Sequence, residues 1–119
     1  AMVTWWTLAQ DALIHISKAG RFGTGHACEF ETSLMMAAGA IAPNVDLPTG
    51  EFFVPSHGWA DNSMLHKSGG ALYRSMRHIS GGSGVVGRPD VATAEQGHKI
   101  TTAVVRRLET VVTDLRRMG

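Results

Sequence analysis

Cysteine is nearly absent from this chain, and so is any excess of charge of one sign. The 119 residues include one cysteine, and 11 basic residues stand against 10 acidic ones. A single cysteine forms no internal disulfide, which excludes a small secreted scaffold held by disulfides. The formal net charge of +1 lacks the strong positive field that nucleic acids and anionic membranes attract, so neither is expected as a partner.

Long apolar runs are also lacking. No stretch approaches the roughly 20 apolar residues that a membrane-spanning helix needs. No basic region followed by an apolar run marks a signal peptide. The composition that is present, 44% hydrophobic and 18% charged, is ordinary for a globular protein. The length predicts one domain, and we expect it to be soluble and cytoplasmic.

The first third of the chain is predicted to contain one strand and two helices. The β-branched and aromatic run Met2–Trp6 indicates a buried strand. Apolar residues at helical spacing predict a helix over Thr7–Ala19. A second helix is predicted over 32–38, with Thr32 or Ser33 near its N-cap.

The segment 43–90 is punctuated by glycine and proline and predicts little regular structure. Within it, Phe52–Val54 indicates a short strand, and Leu72–Ile79 indicates either a short helix or a strand. The run Gly81–Gly87 lacks the pattern of a phosphate loop and predicts a tight turn that lets the backbone approach a neighbour. An irregular segment of this length is uncommon in a compact domain unless it is functional or covers a partner.

The C-terminal segment, from Ala92 onward, shows the clearest helical pattern. Thr93 and Gln96 have the spacing of a capping box. Apolar residues at helical spacing predict one buried stripe. The stripe consists of Ile100, Val104, Leu108, Val111, Val112 and Leu115. Helices with apolar faces beside a single convincing strand leave surfaces that need a further sheet or helices, so we expect the trailing half of an α/β domain.

The densest group of reactive side chains lies in Gly25–Ser33. His26 is a candidate for proton transfer near neutral pH. Glu31, at the start of a helix, is favoured as a carboxylate by the helix dipole and can orient a histidine or support a metal ligand. Alternatively, Glu29 and Glu31 only charge the helix start and His26 is a turn residue. Cys28 has acidic neighbours and is interpreted as a small buried side chain rather than a nucleophile.

Two tryptophans, Trp5 and Trp6, end the predicted first strand. Ligands of open α/β sheets bind beyond the carboxyl ends of strands. One indole is therefore a candidate for a binding crevice and the other for the core, and the alternative places both in the core. Of the scattered histidines, His57 and His66 are either surface residues or members of a site, and His98 on the last helix is expected to be solvated.

Two separated motifs resemble those of one known family. The run GHACEFETSLM at 25–35 is similar to the HAGxxETSxML segment of the creatininase (creatinine amidohydrolase) family. The run GVVGRPDVATAEQG at 84–97 is similar to its GxxGDPxxATAExG segment. Val3–Trp6 resembles a family strand that ends in an aromatic pair near the substrate. The resemblance covers essentially the whole chain, but Cys28 stands where the family usually has glycine, and Arg88 where it often has aspartate.

The resemblance implies a three-layer α/β/α fold with a mostly parallel sheet, often assembled as a hexamer, so a homo-oligomer is expected. It implies hydrolysis of carbon–nitrogen bonds in small amides, often cyclic ones, at a pair of divalent metal ions of the zinc or manganese class. By position, His26 matches a proton donor to the scissile nitrogen and Glu31 matches a glutamate beside the metals. Trp5 and Trp6 match substrate-binding aromatic residues, Trp6 being the one that closes over the substrate.

The metal ligands of the family come mainly from segments upstream of the matched motifs: an early Glu-x-His, a following Asp, and a later Gly-His with Glu or Asn. None of these is present here, and Glu31 is expected at most behind the ligands. We therefore expect residues 1–119 to be the C-terminal part of a single creatininase-like domain, completed by a second polypeptide or segment. Two other hypotheses are a non-catalytic assembly subunit that retains the fold, and a small metal protein that uses His26, Cys28, Glu29 and Glu31.

Overall fold

A computed structural model of the chain describes residues 2–50, 58–61, 63–66, 70 and 75–119. Within these residues, five α-helices and two short β-strands are present. The helices are α1 (Trp5–Leu8), α2 (Gln10–Ile16), α3 (Glu29–Ala37), α4 (Met76–Ile79) and α5 (Ala94–Met118). The strands are β1 (Thr24–His26) and β2 (Val86–Gly87), and short 3-10 helices cover Gly20–Gly23 and Pro89–Val91.

Some sequence predictions fall on the rest of the chain. The strand predicted over Phe52–Val54 and the histidine His57 lie outside the described residues. Of the predicted element Leu72–Ile79, the described part is the helix α4 from Met76 to Ile79. Among the residues that the structure describes, none of the helices is both long enough and apolar enough to cross a membrane.

The strand predicted over Met2–Trp6 is wrong, because residues 2–4 form no regular element and α1 begins at Trp5. Trp5, Ala9 and Leu13 lie four residues apart and pack into one core, which is the period of a helix rather than a strand. A five-residue aromatic run is too short to show that period. The helix predicted over Thr7–Ala19 is present as α1 and α2, which are separated at Ala9.

The core forms where α2, α3 and α5 meet. Its buried members are Ala9, Leu13, Cys28, Phe30, Met64 and Ile100. α3 packs mainly along α5. Gly97 of α5 lies directly against the backbone carbonyl of Ser33, so the two helices touch backbone to backbone at this point.

α3 begins at Glu29, and the predicted N-cap at Thr32 or Ser33 is wrong. Cys28 is the N-cap, and its backbone N donates to Glu31 Oε2 at 3.2 Å. Ser33 Oγ instead donates to Gln96 Oε1 at 2.9 Å and accepts from the Thr93 backbone N at 3.1 Å. A serine hydroxyl caps a helix by accepting a hydrogen bond from the backbone of that helix, but here Thr93 and Gln96, about 60 residues away, bind the hydroxyl instead.

α5 starts as predicted, but only its first half is packed. Thr93 Oγ1 accepts from the Gln96 backbone N at 3.2 Å, which confirms the N-cap, while the Gln96 side chain binds elsewhere and does not complete the capping box. Ile100 is fully buried, whereas Leu108 is 38% exposed and Leu115 is 46% exposed. The predicted apolar stripe is therefore buried only near the start of the helix.

β1 and β2 pair antiparallel, with Thr24 opposite Gly87 and His26 opposite Val86. Helices with this small sheet are compatible with the α/β class, but the sheet in the described residues is two-stranded and antiparallel rather than mostly parallel. β1 and β2 are three and two residues long, so the described residues supply only a short antiparallel ladder. Gly87 confirms the predicted close approach: it has φ +128°, and a Cβ there would lie 2.8 Å from the Gly23 carbonyl carbon.

The uneven burial of α5 makes a stability prediction. Ile100→Ala removes a fully buried side chain and is expected to lower the free energy of unfolding by about 2–5 kcal/mol. Leu108→Ala alters a side chain that is already partly solvated and is expected to cost about 1 kcal/mol or less. Urea unfolding followed by circular dichroism measures both, and equal losses would mean that the whole stripe is buried in solution.

Candidate active site

A cavity of about 330 Å³ lies between α1, the end of β1, the start of α3 and the residues Asp61, Ser63 and Met64. Its lining residues are Trp6, Gly25, His26, Glu31, Asp61, Ser63 and Met64. The fold thus brings together three of the side chains that the sequence singled out: His26, Glu31 and Trp6. A larger groove of about 450 Å³ along α5 holds none of them.

His26 owes its place to a sharp turn at the end of β1. It is the last residue of the strand, and its side chain is exposed to the cavity. The next residue, Ala27, has φ +48°, a left-handed conformation that is costly for any residue except glycine. This turn leads directly into Cys28 and α3, so that His26 and Glu31 line the same cavity although they belong to different elements.

Strain at Ala27 predicts that glycine is better tolerated at this position. Ala27→Gly is expected to raise the free energy of unfolding by about 1 kcal/mol, because relief of a left-handed alanine exceeds the extra entropy that glycine loses. Ala12→Gly, the same substitution inside α2, is the matched control and is expected to lower stability by about 1 kcal/mol. Urea unfolding measures both variants, and destabilisation by Ala27→Gly would show that the turn is relaxed.

The two carboxylates of the motif occupy different environments. Glu31 is half-buried, holds the Cys28 backbone N and lines the cavity. Glu29 is fully buried and is not among the residues that line the cavity, so it is not a solvated charge at the helix start. Its carboxylate accepts hydrogen bonds from Ser17 Oγ, Lys18 N, Ala19 N and Gln96 Nε2. Glu29, the first residue of α3, therefore connects the end of α2 and the start of α5 to the start of α3.

The two tryptophans lie on a helix rather than a strand, and both pack against the core. Trp6 lines the cavity, and Trp5 is not among the lining residues. The Trp5 ring packs edge-on against Trp6, with ring centroids 5.6 Å apart, and against Phe30 at 6.5 Å. Neighbouring residues on a helix point about 100° apart, which separates the two indoles as strand alternation would have done.

Asp61, Ser63 and Met64 form a wall of the cavity that sequence reasoning missed. Met64 N donates to the Thr24 carbonyl at 2.7 Å, and the hydroxyls of Thr24 and Ser63 lie 3.1 Å apart. These bonds fasten the wall to β1. The segment lies in a glycine-rich stretch without periodicity, and its partners are about 40 residues away, so no local pattern indicates the pairing.

A buried carboxylate, Asp61, stands in this wall. Its side chain is 1% exposed and forms ion pairs with Arg21 and with His66 Nδ1, the latter at 2.9 Å. Oδ1 of Asp61 accepts from the Ser63 backbone N at 2.8 Å. His66 is one of the histidines that the sequence left as either a surface residue or a member of a site, and nothing in the sequence connects Asp61 or Arg21 to it.

Cys28 is buried and chemically quiet, as predicted. It is fully buried in the core, and burial raises the pKa of its thiol to about 11. Thiolate is the reactive form of cysteine, so at neutral pH Cys28 serves packing and the N-cap position rather than nucleophilic chemistry.

The described residues do not fit a paired-metal site. No group of three or more His, Cys, Asp or Glu side chains among them is arranged to hold a metal ion. The carboxylate of Glu29 is occupied by the hydrogen bonds given above, and the side chain of Cys28 is fully buried in the core. The hypothesis of a small metal protein built from His26, Cys28, Glu29 and Glu31 is therefore wrong.

An imidazole, two carboxylates and an indole around one cavity are suited to hydrolytic chemistry. In a comparison with protein-family models, residues 1–112 match Creatininase, described as creatinine amidohydrolase. The chain belongs to the creatininase family, which confirms the resemblance of the two motifs and indicates an amidohydrolase-type function. Comparisons with curated proteins and with solved structures gave no match.

The departures from the family motifs are accommodated locally. Arg88 forms an exposed two-point pair with Asp90, with Nε–Oδ1 and Nη2–Oδ2 distances of 2.7 and 2.6 Å. The hydrogen bond from Arg88 lowers the pKa of the Asp90 carboxyl. At the other departure, Cys28 is extended, and the left-handed conformation falls on Ala27 instead.

Proposed function

We propose that this chain is one part of a metal-dependent amidohydrolase that cleaves a carbon–nitrogen bond in a small linear or cyclic amide. The observation that carries the proposal is the cavity in which His26, Glu31 and Trp6 meet. His26 and Glu31 lie in the motif at 25–35 that matches the family, and its turn at Ala27 and N-cap at Cys28 bring them to one cavity. Trp6 comes to the same cavity from α1.

In this proposal His26 gives a proton to the scissile nitrogen as the carbon–nitrogen bond breaks. The amine anion that would form by unassisted cleavage is too strong a base to leave, so the nitrogen needs a proton donor as the carbon–nitrogen bond breaks. Glu31, fixed by the Cys28 backbone N, accepts a hydrogen bond from His26 or from a substrate N–H. Trp6 offers a flat apolar surface for the body of the substrate.

The proposal places the ligands of two zinc- or manganese-class ions on a second polypeptide or segment, which carries the N-terminal half of the domain. The residues described here do not fit such a site, so no step is assigned to the metals. The exposed apolar residues of α5, Val105, Leu108, Val112 and Leu115, support the presence of a complement. A homo-oligomer and a cytoplasmic location belong to the same proposal.

Metal content and turnover test this division of the site. The chain is freed of metal with a chelator, supplied with Zn²⁺ or Mn²⁺, and assayed on a panel of linear and cyclic amides that includes creatinine. We expect fewer than two bound equivalents and no amide hydrolysis. With a polypeptide that carries the N-terminal half of a creatininase-family protein, we expect two bound equivalents and turnover. Turnover by the chain alone would contradict the split site.

A second candidate is a non-catalytic assembly subunit that retains the fold. The exposed apolar stripe on the second half of α5 favours it, since such a surface serves an interface whether or not chemistry follows. The two candidates differ in the complemented sample: a stable complex without metal and without turnover on the whole panel supports assembly alone.

A further inference from the structure

The second half of α5 presents an apolar face that the described residues leave largely exposed. Ile100, near the start of the helix, is fully buried, and Val104 is half-buried against the core. Beyond Val104 the stripe continues with side chains that are 38% to 48% exposed, namely Val105, Leu108, Val112 and Leu115. An apolar stripe of this kind at helical spacing indicates an interaction surface.

An antiparallel pair of α5 helices buries the stripe against itself. With a twofold axis beside residues 109–110, Leu108 of one copy packs on Val111 of the second copy. Leu115 then reaches Val104, so the apolar core of each copy continues into the interface. A twofold contact uses the same patch on both chains, and here the patch supplies its own counterpart.

The same register matches the charges beside the stripe. Arg107 and Asp114 lie two helical turns apart on one flank, so Arg107 of each copy faces Asp114 of the other, and the ion pair forms twice. Val105 and Val112 meet in the same way on the opposite flank. In a parallel pair the charged flank would face the valine flank, and neither charge would be matched. Arg107 also pairs with Asp11 of α2 through one nitrogen, and its guanidinium has further N–H donors for a second carboxylate.

We propose that α5 joins two copies of this chain into an antiparallel dimer with twofold symmetry. An apolar stripe alone would suit the N-terminal half of the domain as well as a second copy, but the charges beside it are complementary to the chain's own. Asp114 lies outside the residues 1–112 that match the family model. Its contact within the chain, to Arg117 at 3.9 Å, is long and exposed, so its carboxylate is open to Arg107 of the second copy.

The dimer is tested by sedimentation equilibrium of the full chain over a range of concentrations. The overlap of the two helices is short, so we expect a dissociation constant of about 10–100 µM, and the chain is a monomer at the low concentrations used for unfolding. A wild-type chain that stays monomeric well above this range would overturn the proposal.

Charge reversal on the flank tests the register. Arg107→Glu and Asp114→Lys each bring two pairs of like charges together and are expected to weaken the dimer at least about tenfold. Arg106→Glu is the matched control, because it makes the same change on the next residue, which points away from the stripe. Asp11→Asn controls for the lost contact with α2, and both controls are expected to dimerise like the wild type. Circular dichroism checks that each variant is folded.

A mixture of the two reversed variants gives the sharpest test. In a mixed antiparallel dimer, each introduced charge faces an opposite charge, and both ion pairs are restored with reversed polarity. An equimolar mixture of Arg107→Glu and Asp114→Lys is therefore expected to form heterodimers with a dissociation constant near the wild-type one. A parallel pair, or apolar docking without a fixed register, gives no such rescue, so a mixture that stays monomeric would overturn the antiparallel dimer.

Addition of the N-terminal half of a creatininase-family protein tests the other occupant of the stripe. We expect a complex with two copies of each polypeptide, which Arg107→Glu reduces to one of each. If the N-terminal half instead dissociates the wild-type dimer, the stripe belongs to that half and the proposal is overturned. None of these measurements involves amide hydrolysis, so the proposed chemistry stands if the dimer fails, and the dimer stands if the complemented sample shows no turnover.

Discussion

Gly97→Ala is expected to lower the free energy of unfolding by about 4 kcal/mol. A Cβ at this position would lie 2.6 Å from the carbonyl carbon of Ser33 and 2.7 Å from Ala37 Cβ, and closer still to the Ser33 carbonyl oxygen. The obstacle is mainly the backbone of α3, which cannot rotate away as a side chain can. To admit a methyl group, α3 and α5 must separate, and Ile100 must then lose part of its packing.

The direction in which Gly97→Ala changes the free energy of unfolding tests whether α3 and α5 are in backbone contact. Gly97 lies in the first turn of a long helix, where intrinsic propensity alone favours alanine over glycine by about 1 kcal/mol. Helix propensity alone would make Gly97→Ala stabilising, and the clash with α3 makes it destabilising. Urea unfolding followed by circular dichroism at 222 nm shows which of the two is larger. Gly58→Ala is the control, since a Cβ there meets nothing within 4 Å, and its expected change is within about 0.5 kcal/mol. Stabilisation by Gly97→Ala would show that the helices are not in backbone contact.

Gly97 also explains what the two family motifs have in common. Ser33 belongs to the first motif, and Thr93, Gln96 and Gly97 belong to the second. Ser33 Oγ binds Thr93 N and Gln96 Oε1, and the Ser33 carbonyl lies against Gly97. Segments about 60 residues apart in sequence are thus two sides of one interface. Much of what makes the family recognisable here is the packing of α3 on α5, which holds the start of α3 and hence Glu31 at the cavity.

Features set by neighbouring residues were predictable from the sequence. The N-cap at Thr93 depends on the residue itself and on the helix that follows it, and the glycine turn ending at Gly87 depends on backbone freedom that only glycine has. The burial of Cys28 follows from its size and its acidic neighbours. His26 and Glu31 could be singled out because one short motif contains both. A single turn between them is enough to bring both to the same cavity.

Features set by distant contacts were not predictable. The run Met2–Trp6 has the composition of a strand, but its tryptophans are ordered by a core to which Leu13 and Ile100 contribute. Ser33 is a residue type that favours the N-cap, but its hydroxyl forms hydrogen bonds with Thr93 and Gln96 instead. Asp61 reaches the cavity wall through partners at Arg21 and Ser63, and an irregular segment gives no period from which such pairing can be inferred.

His26→Gln is expected to lower amide hydrolysis by the complemented enzyme about 10²–10⁴-fold while the bound metal stays unchanged. The imidazole lies at the end of β1 and lines the cavity, and the described residues around it form no metal-binding group. Glutamine keeps a polar side chain of similar size but does not give up a proton near neutral pH. The measurements are the turnover rate and the metal content of the same sample, and a parallel loss of both would make His26 a metal ligand instead.

The dependence on the leaving group decides whether the lost function is proton donation. A donor to the scissile nitrogen matters most when that nitrogen is strongly basic, and little when it leaves readily as an anion. Across a series of anilides of decreasing amine basicity, the ratio of wild-type to His26→Gln rates is therefore expected to fall steadily towards one. His98→Gln should give a ratio near one throughout. A ratio that is large but constant across the series would assign His26 to substrate binding or to the attack of water, because neither depends on the basicity of the leaving nitrogen.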